Sequence, residues 1–312
     1  MRTVVIGAIQ MESRNGDVEG NLARALPLLE QAVERGAELV CLPEFLPSGY
    51  LFHERAWDAA EPSQGATAQW LVEQAKRLGV IVGTSFLEAT SQGFKNVFVL
   101  TGPEGELGRV YKQDVALFEN YFMEGEKGSH VIETPLGKIG VGICYENLRA
   151  FLSRLLVEHD VDLVLQPHSC PGAPSWFPRW GRRMFEEEVR GIAQRYAKGL
   201  GIPAVFVNKC GPFVSPLPMF PYRLDSPYVG ATAIVDCDGA VLERAEPRPA
   251  VLVATVQLDP ARKTHRPLPA RGRWVAQGPW IALRAMEWVD RRGRAAYRRN
   301  QRKVAAARRM GG

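Results

Sequence analysis

The chain has 312 residues, of which 46% are hydrophobic and 23% are charged, as is typical of a soluble globular protein. No stretch reaches the roughly 18 uninterrupted apolar residues of a membrane span, so no membrane partner is expected. The net charge of +5 is uneven, because residues 281–312 carry ten Lys and Arg against two acidic residues, a net +8 that leaves −3 for residues 1–280.

The cysteines and histidines argue against covalent and metal cross-links. Five cysteines, at positions 41, 144, 170, 210 and 237, form no CxxC pair, so neither a disulfide framework nor a zinc site is expected. The five histidines show neither HxH nor HExxH spacing. We therefore expect a protein of the reducing cytoplasm that holds no metal.

Strand and helix periodicities alternate along the first half of the chain. Strands are predicted over 3–10, 37–42, 80–86, 95–101, 106–111, 131–134 and 138–143, and helices over 22–33 and 65–78. Gly102-Pro103-Glu104-Gly105 and Pro135-Leu136-Gly137 are turn sequences between strands, which predicts two β-hairpins.

The second half repeats this order. Helices are predicted over 149–157 and 185–198, and strands over 163–165, 204–208, 231–235, 240–243 and 251–258. Strands that alternate with helices and include hairpins predict a layered α/β domain with a mixed sheet. We assign residues 1–270 to this domain and residues 271–312 to a C-terminal extension.

The stretch Gly137–Arg149 carries the first candidate for chemistry. Its apolar residues and glycines run to Cys144 and turn polar at Tyr145-Glu146-Asn147, which predicts a buried strand, a tight turn and a helix from about Leu148. The N-terminus of that helix would favour a thiolate at Cys144. A lone cysteine is more often simply buried, so Cys144 needs partners to count as reactive.

Two other predicted strands also end on a reactive side chain. Glu44 follows the strand that ends at Leu42-Pro43, and Lys112 follows Tyr111. Binding sites in layered α/β sheets lie beyond the carboxyl ends of strands, so Glu44, Lys112 and Cys144 could meet there. A carboxylate could take the thiol proton, and an ammonium could stabilise the oxyanion formed when sulfur attacks an amide or nitrile carbon. This chemistry needs no cofactor.

These three regions resemble the signature motifs of the nitrilase superfamily of carbon–nitrogen hydrolases. The matching segments, in the same order and spacing, are Leu42-Pro43-Glu44-Phe45, Tyr111-Lys112 and Gly142-Ile143-Cys144-Tyr145-Glu146. The resemblance implies Glu44 as general base, Lys112 as oxyanion partner and Cys144 as nucleophile. It also implies a second catalytic glutamate shortly after the lysine, for which Glu119 has a similar context.

The same resemblance implies a four-layer α-β-β-α sandwich whose subunits pair as homodimers or larger homo-oligomers. We expect the first part of the extension, with Trp274, Trp280 and Trp288 among its apolar anchors, to contact a partner subunit. The arginines that follow would lie at the rim or in solvent. The alternative is a non-catalytic nucleic-acid-binding protein that uses this basic tail.

The substrate is less defined than the chemistry. Nitrilases of the superfamily often have Trp after the cysteine, whereas this chain has Tyr145, which favours an amide substrate. Nitrile hydrolysis and N-carbamoyl amide hydrolysis remain alternatives. Tyr145, Tyr50 in the loop 47–53 and His168 after the strand 163–165 are the expected substrate-binding residues.

Overall fold

The computed structural model describes residues 1–276 and 278–311. The helices are α1 (Val18–Glu34), α2 (Ala66–Leu78), α3 (Ala150–Glu158), α4 (Arg179–Leu200), α5 (Trp280–Arg299) and α6 (Arg302–Arg309). Short 3₁₀ helices span Glu54–Ala59, Leu117–Tyr121, Cys144–Leu148 and Pro260–Arg262.

The strands follow the predicted order with one addition. They are β1 (Arg2–Gln10), β2 (Leu39–Cys41), β3 (Ile81–Thr90), β4 (Gly93–Gly102), β5 (Gly105–Tyr111), β6 (Val131–Thr134), β7 (Gly137–Val141), β8 (Leu163–Pro167), β9 (Ala204–Val207), β10 (Pro212–Pro216), β11 (Arg223–Pro227), β12 (Ala233–Val235), β13 (Val241–Arg244) and β14 (Ala250–Leu258). The β10–β11 hairpin was not predicted, because its sequence is rich in proline and shows little alternation of apolar and polar residues.

Apart from β10 and β11, which form a two-stranded sheet, the strands form two six-stranded sheets with similar internal arrangements. One has the order β14-β1-β2-β3-β4-β5 and the other β13-β12-β9-β8-β7-β6. Strands β1, β2 and β3 run parallel at the centre of the first sheet, and β7, β8 and β9 do so in the second. Antiparallel strands flank each parallel centre. Glu44 and Cys144 follow strands of these parallel centres, and Lys112 follows the edge strand β5.

Three apolar cores define the layers. Residues of both sheets, such as Ile6 and Val141, are buried together in one core, so the two sheets pack face to face. A second core places α1 and α2 on the first sheet, and a third places α3 and α4 on the second. The predicted four-layer α-β-β-α sandwich is therefore confirmed.

Local signals explain several element ends. The Asp17 side chain accepts a hydrogen bond from the Gly20 amide at the start of α1. Gly79 and Gly201 end α2 and α4 in the left-handed conformation, with φ of 66° and 69°. Helix α4 begins six residues before the predicted start, since its first turns carry mostly exposed residues and show little periodicity.

The C-terminal extension packs on its own chain. The Phe94 amide donates to the Tyr297 hydroxyl (2.8 Å), and Ala306 and Ala307 are buried among aromatic residues of the body. Trp274, Leu283 and Tyr297 are thus buried within their own chain, and the expected contact between the extension and a partner subunit stays a prediction. Trp280 and Trp288 remain exposed, as do most of the arginines that follow.

No helix in the described ranges combines the length and the apolar character that crossing a bilayer requires.

Candidate active site

Glu44 lies three residues beyond the end of β2 and is fully buried. Its Oε1 accepts hydrogen bonds from Asn96 Nδ2 (2.8 Å) and Lys112 Nζ (2.7 Å), and its Oε2 accepts one from the Ser169 amide (2.8 Å). The Ser169 hydroxyl donates to the Glu44 carbonyl (2.6 Å). Residues from both sheets therefore fix the direction of this carboxylate.

The backbone turn at Phe45, directly after Glu44, is held by hydrogen bonds. Phe45 has a φ of 48°, an uncommon conformation for a residue with a side chain. Its amide donates to Ser85 Oγ (3.0 Å), and its carbonyl accepts from the buried Lys209 Nζ (2.8 Å). These contacts offset the strain of the turn.

Lys112 lies between two carboxylates at the end of β5. Its Nζ is 2.7 Å from Glu44 Oε1 and 2.8 Å from Glu119 Oε2, and all three side chains are buried. Glu119 sits on the 3₁₀ helix Leu117–Tyr121, and its Oε1 accepts from the Tyr50 hydroxyl (2.5 Å). The structure thus brings Glu44, Lys112, Glu119 and Tyr50 into one hydrogen-bonded cluster.

Cys144 starts the 3₁₀ helix that follows β7, and it has a φ of 53°. Asn147 Nδ2 donates to the carbonyls of Gly142 (2.6 Å) and Cys144 (3.0 Å), while Asn147 Oδ1 accepts from Gln166 (2.8 Å). The strained turn is therefore tied to β8, and it places the 8%-exposed cysteine beside Glu44.

The protonation states follow from burial and from the mixture of charges. Burial by itself lowers the pKa of Lys112, but the carboxylates of Glu119 and Glu44 outweigh it and hold that pKa well above its ordinary value. Burial raises the pKa of Glu44, an effect that Lys112 opposes and Glu119 reinforces. The ammonium is thus stable, and the carboxylate is a stronger base than an exposed one.

The state of Cys144 differs from the sequence-based expectation. Burial raises the pKa of its thiol well above the ordinary value, Glu44 adds to the rise, and Lys112 only partly opposes it. The expected thiolate is therefore replaced by a neutral thiol, since a buried sulfur anion beside a carboxylate is costly. A thiol beside a carboxylate suits proton transfer during attack.

Glu146 and His130 connect the loops that carry Lys112 and Cys144. Glu146 Oε1 accepts from the Gln113 amide (2.7 Å), and Oε2 accepts from the Ile143 amide (3.0 Å). His130 Nε2 lies 3.0 Å from Glu146 Oε1, and its Nδ1 lies 3.2 Å from the Gly128 carbonyl. Both ring nitrogens face acceptors, so this geometry favours an imidazolium paired with the carboxylate.

Tyr145 and His168 are placed differently from Tyr50. The Tyr145 hydroxyl donates to Asp290 Oδ2 (2.9 Å), and its ring packs edge-on against Trp274, so the structure does not bring it into the cluster. His168 is buried against Phe206, and burial lowers its pKa to about 3, so it is neutral. Its Nδ1 donates to the Gln166 carbonyl (2.8 Å).

Sequence reasoning missed several residues around the cluster. Asn96, Ser169 and Lys209 contact Glu44 or its neighbour Phe45, and burial lowers the pKa of Lys209 to about 7. Lys209 and Ser169 each lie just beyond a parallel strand of the second sheet, so applying the strand-end argument to β8 and β9 would have found them.

The segment after β2, strand β10 and the residue after β11 contribute to an aromatic cluster next to these groups. Phe45, Tyr50, Phe52, Phe213 and Tyr228 are buried together there.

As for metals, the described residues include no group of three or more His, Cys, Asp or Glu side chains arranged to hold an ion.

Comparison with known proteins places this geometry in context. Residues 5–266 match the family model described as carbon-nitrogen hydrolase. The chain is 29% identical to a nitrilase of Pyrococcus abyssi over 181 residues, which are 56% of this chain and 69% of that protein. It is 25% identical to an N-carbamoylputrescine amidase of Arabidopsis thaliana over 270 residues, 83% of this chain and 88% of that one.

A solved structure shares the fold. The carbon-nitrogen hydrolase of Helicobacter pylori superposes with a TM-score of 0.73 at 19% identity, and the alignment covers 96% of each chain. At this identity the likeness concerns the fold, and it extends into the C-terminal helices.

Proposed function

Because the chain belongs to the carbon–nitrogen hydrolase family, we propose that it hydrolyses a non-peptide amide through Cys144 and releases ammonia or an amine. The observation that carries this proposal is the buried arrangement of Glu44, Lys112 and Glu119 next to a strained Cys144 turn. It combines a base, a fixed positive charge and a nucleophile in one site.

In the first half of the proposed reaction, the Glu44 carboxylate takes the Cys144 proton as sulfur bonds to the carbonyl carbon. The carbonyl π electrons move to oxygen, and the Lys112 ammonium stabilises that oxyanion. Collapse of the intermediate breaks the C–N bond, and the leaving nitrogen takes the proton from Glu44. The products of this half are ammonia or an amine and a Cys144 thioester.

Water completes the proposed cycle. Glu44 takes a proton from a water molecule as the water oxygen attacks the thioester carbon. The C–S bond breaks when the second tetrahedral intermediate collapses. Sulfur then recovers the proton from Glu44, which restores the starting thiol. Glu119 positions the Lys112 ammonium throughout, and Tyr50 holds Glu119 in turn.

An N-carbamoyl amide is a second candidate substrate. The match to an N-carbamoylputrescine amidase extends over 88% of that relative, which favours testing ureido compounds beside simple amides. A nitrile is the third candidate, as the Pyrococcus abyssi relative suggests. A panel of aliphatic amides, ω-amides, N-carbamoyl amines and nitriles, assayed for ammonia release, ranks the three.

The first prediction concerns Cys144. Cys144→Ala removes the nucleophile, so we expect turnover of the best substrate of that panel to fall by about 10³-fold or more. Cys170→Ala is the matched control, because it removes a nearby cysteine that the mechanism does not use. Near-wild-type turnover by a folded Cys144→Ala variant would contradict the proposal.

A further inference from the structure

Helix α5 carries a buried acid, Asp290, that lies outside the residues matched by the family model. Its side chain is only 1% exposed, although the helix around it is mostly polar. An ionised carboxylate is costly to bury unless donors surround it, so its contacts need an explanation.

Asp290 bridges two of the loops that form the site. Its Oδ1 accepts from the Leu117 amide (2.8 Å) and from Asn120 Nδ2 (3.2 Å), and its Oδ2 accepts from the Tyr145 hydroxyl (2.9 Å). Leu117 and Asn120 flank Glu119 on its 3₁₀ helix, whereas Tyr145 directly follows Cys144. One carboxylate thus joins the turn that supports Lys112 to the turn that bears the nucleophile.

The packing of α5 makes this bridge rigid. Gly293, one turn after Asp290, faces the Glu119 turn so closely that a Cβ there would lie 2.6 Å from Asn120 Cβ. Leu117 has a φ of 39° and Cys144 a φ of 53°, so both bridged turns are strained. Strained turns persist only where surrounding contacts hold them, and Asp290 supplies such contacts to both.

We propose that Asp290 is a positioning residue of the active site, through which the C-terminal extension holds Glu119 and Cys144 in their working geometry. It touches no reacting atom and acts through Leu117, Asn120 and Tyr145. This inference rests on the proposed function for its kinetic consequences, but the geometry of the cysteine can be measured without a substrate.

The charged and titratable groups that face Asp290 are Tyr145, Arg149 and Arg294. Burial raises the pKa of Asp290 to about 6, with Tyr145 and Arg149 opposing the rise. Each of the three hydrogen bonds is donated to the carboxylate, so protonation below about pH 6 weakens the bridge.

The test compares Asp290→Leu, which removes all three hydrogen bonds and keeps the branching of the side chain, with Asp290→Asn, which keeps an acceptor. We expect Asp290→Leu to lower kcat by about 10-fold or more with a smaller change in KM, since small misplacements of reacting groups are costly. Asp290→Asn should recover most of the loss. The exposed Arg291→Ala on the same helix is the control and should behave as wild type.

A second readout is the rate at which iodoacetamide alkylates Cys144, measured by mass spectrometry. We expect the alkylation rate to change several-fold in Asp290→Leu. The ratio of the wild-type rate to the Asp290→Asn rate should vary with pH near 6. The alkylation rate of Cys144 can be measured even if the protein hydrolyses no amide. A failure of the proposed function and a failure of this inference are therefore distinguishable.

Tyr145→Phe provides a variant that keeps the buried acid and removes one hydroxyl, in case Asp290→Leu does not fold. We expect it to reproduce part of the loss in kcat and in alkylation rate. Wild-type kcat and alkylation rates in folded Asp290→Leu or, where that variant does not fold, in folded Tyr145→Phe would overturn the inference.

Discussion

Lys112 has two carboxylates as partners, so its charge holds the cluster together as well as serving the proposed oxyanion role. Lys112→Met leaves Glu44 and Glu119 buried without their shared cation. We expect turnover to fall by about 10²–10³-fold, the usual cost of losing one oxyanion donor. Ammonia release by the variant measures this loss.

Two controls accompany that measurement. Circular dichroism must show an unchanged fold. Lys95→Met is the matched variant, because Lys95 is a partly buried lysine of β4 that pairs with Glu126 and not with Glu44 or Glu119. Turnover within a few-fold of wild type in Lys112→Met would count against the oxyanion role.

Glu44 makes a prediction about pH. The proposed base must be ionised before attack, and burial raises its pKa above the ordinary value near 4.3. We therefore expect kcat/KM to fall as pH decreases through a limb that lies above pH 4.3. Rates measured from pH 4 to 9, with activity recovered on return to neutral pH, define this limb.

Titration of Asp290 would also change kcat/KM in this pH range, so the same pH profile is measured in Asp290→Asn. The limb should persist there, because Glu44 is unchanged. A limb at or below the ordinary carboxyl range in both proteins would argue against Glu44 as the base.

At the scale of elements, the His130–Glu146 pair fastens β7 to the segment after β5. Burial by itself lowers the pKa of His130, but the carboxylate of Glu146 outweighs it and the pKa is raised. A raised folded-state pKa means that the pair stabilises the fold fully below the unfolded value near 6.5 and loses this contribution as pH rises through the folded value.

We therefore expect His130→Gln to lower the free energy of unfolding by about 3 kcal/mol at pH 6, the scale for breaking a buried pair. The loss should be smaller at pH 9 than at pH 6, because the pair loses its charge as pH rises through the folded-state pKa of His130. Urea unfolding of both proteins at the two pH values measures it. The same loss at pH 6 and pH 9 would show that the imidazole acts only as a neutral hydrogen-bonding group.

At the scale of the whole molecule, the start of α4 and the residues just before it carry exposed apolar side chains, namely Trp176, Phe177, Trp180 and Met184. Patches of this kind on soluble proteins mark interaction sites. Arginines 179, 182 and 183 precede glutamates 186, 187 and 188 along the same helix, so two antiparallel copies would place opposite charges together. We propose that a second copy of the chain covers this patch.

Trp180→Asp tests this proposal, because it places a charge at the centre of the patch. We expect the mass from light scattering to fall relative to wild type, with an unchanged circular dichroism spectrum. Tyr222→Asp is the matched control, since Tyr222 is an aromatic residue of similar exposure that lies in the β10–β11 hairpin and not on α4. A wild-type mass for Trp180→Asp would contradict the proposal.

The sequence alone was sufficient for the order of strands and helices within residues 1–270 apart from the β10–β11 hairpin, and for the layered α/β class; it also singled out Glu44, Lys112 and Cys144, whose catalytic roles stay predictions. These features depend on local periodicity, on turn residues and on the rule that strand ends meet at one edge of a sheet. The α-β-β-α arrangement also followed from the family resemblance, and the packing of both sheets confirmed it.

Only the tertiary structure decided what those residues contact and how they titrate. Tyr145 bonds to Asp290, 145 positions away, and the extension covers its own chain, because both depend on how α5 docks on turns that are distant in sequence. The neutral thiol of Cys144 likewise follows from burial beside Glu44, which no local pattern encodes. Local sequence specifies where a strand ends. The dielectric environment at that end, and the charged and hydrogen-bonding groups around it, are set by segments that folding brings together.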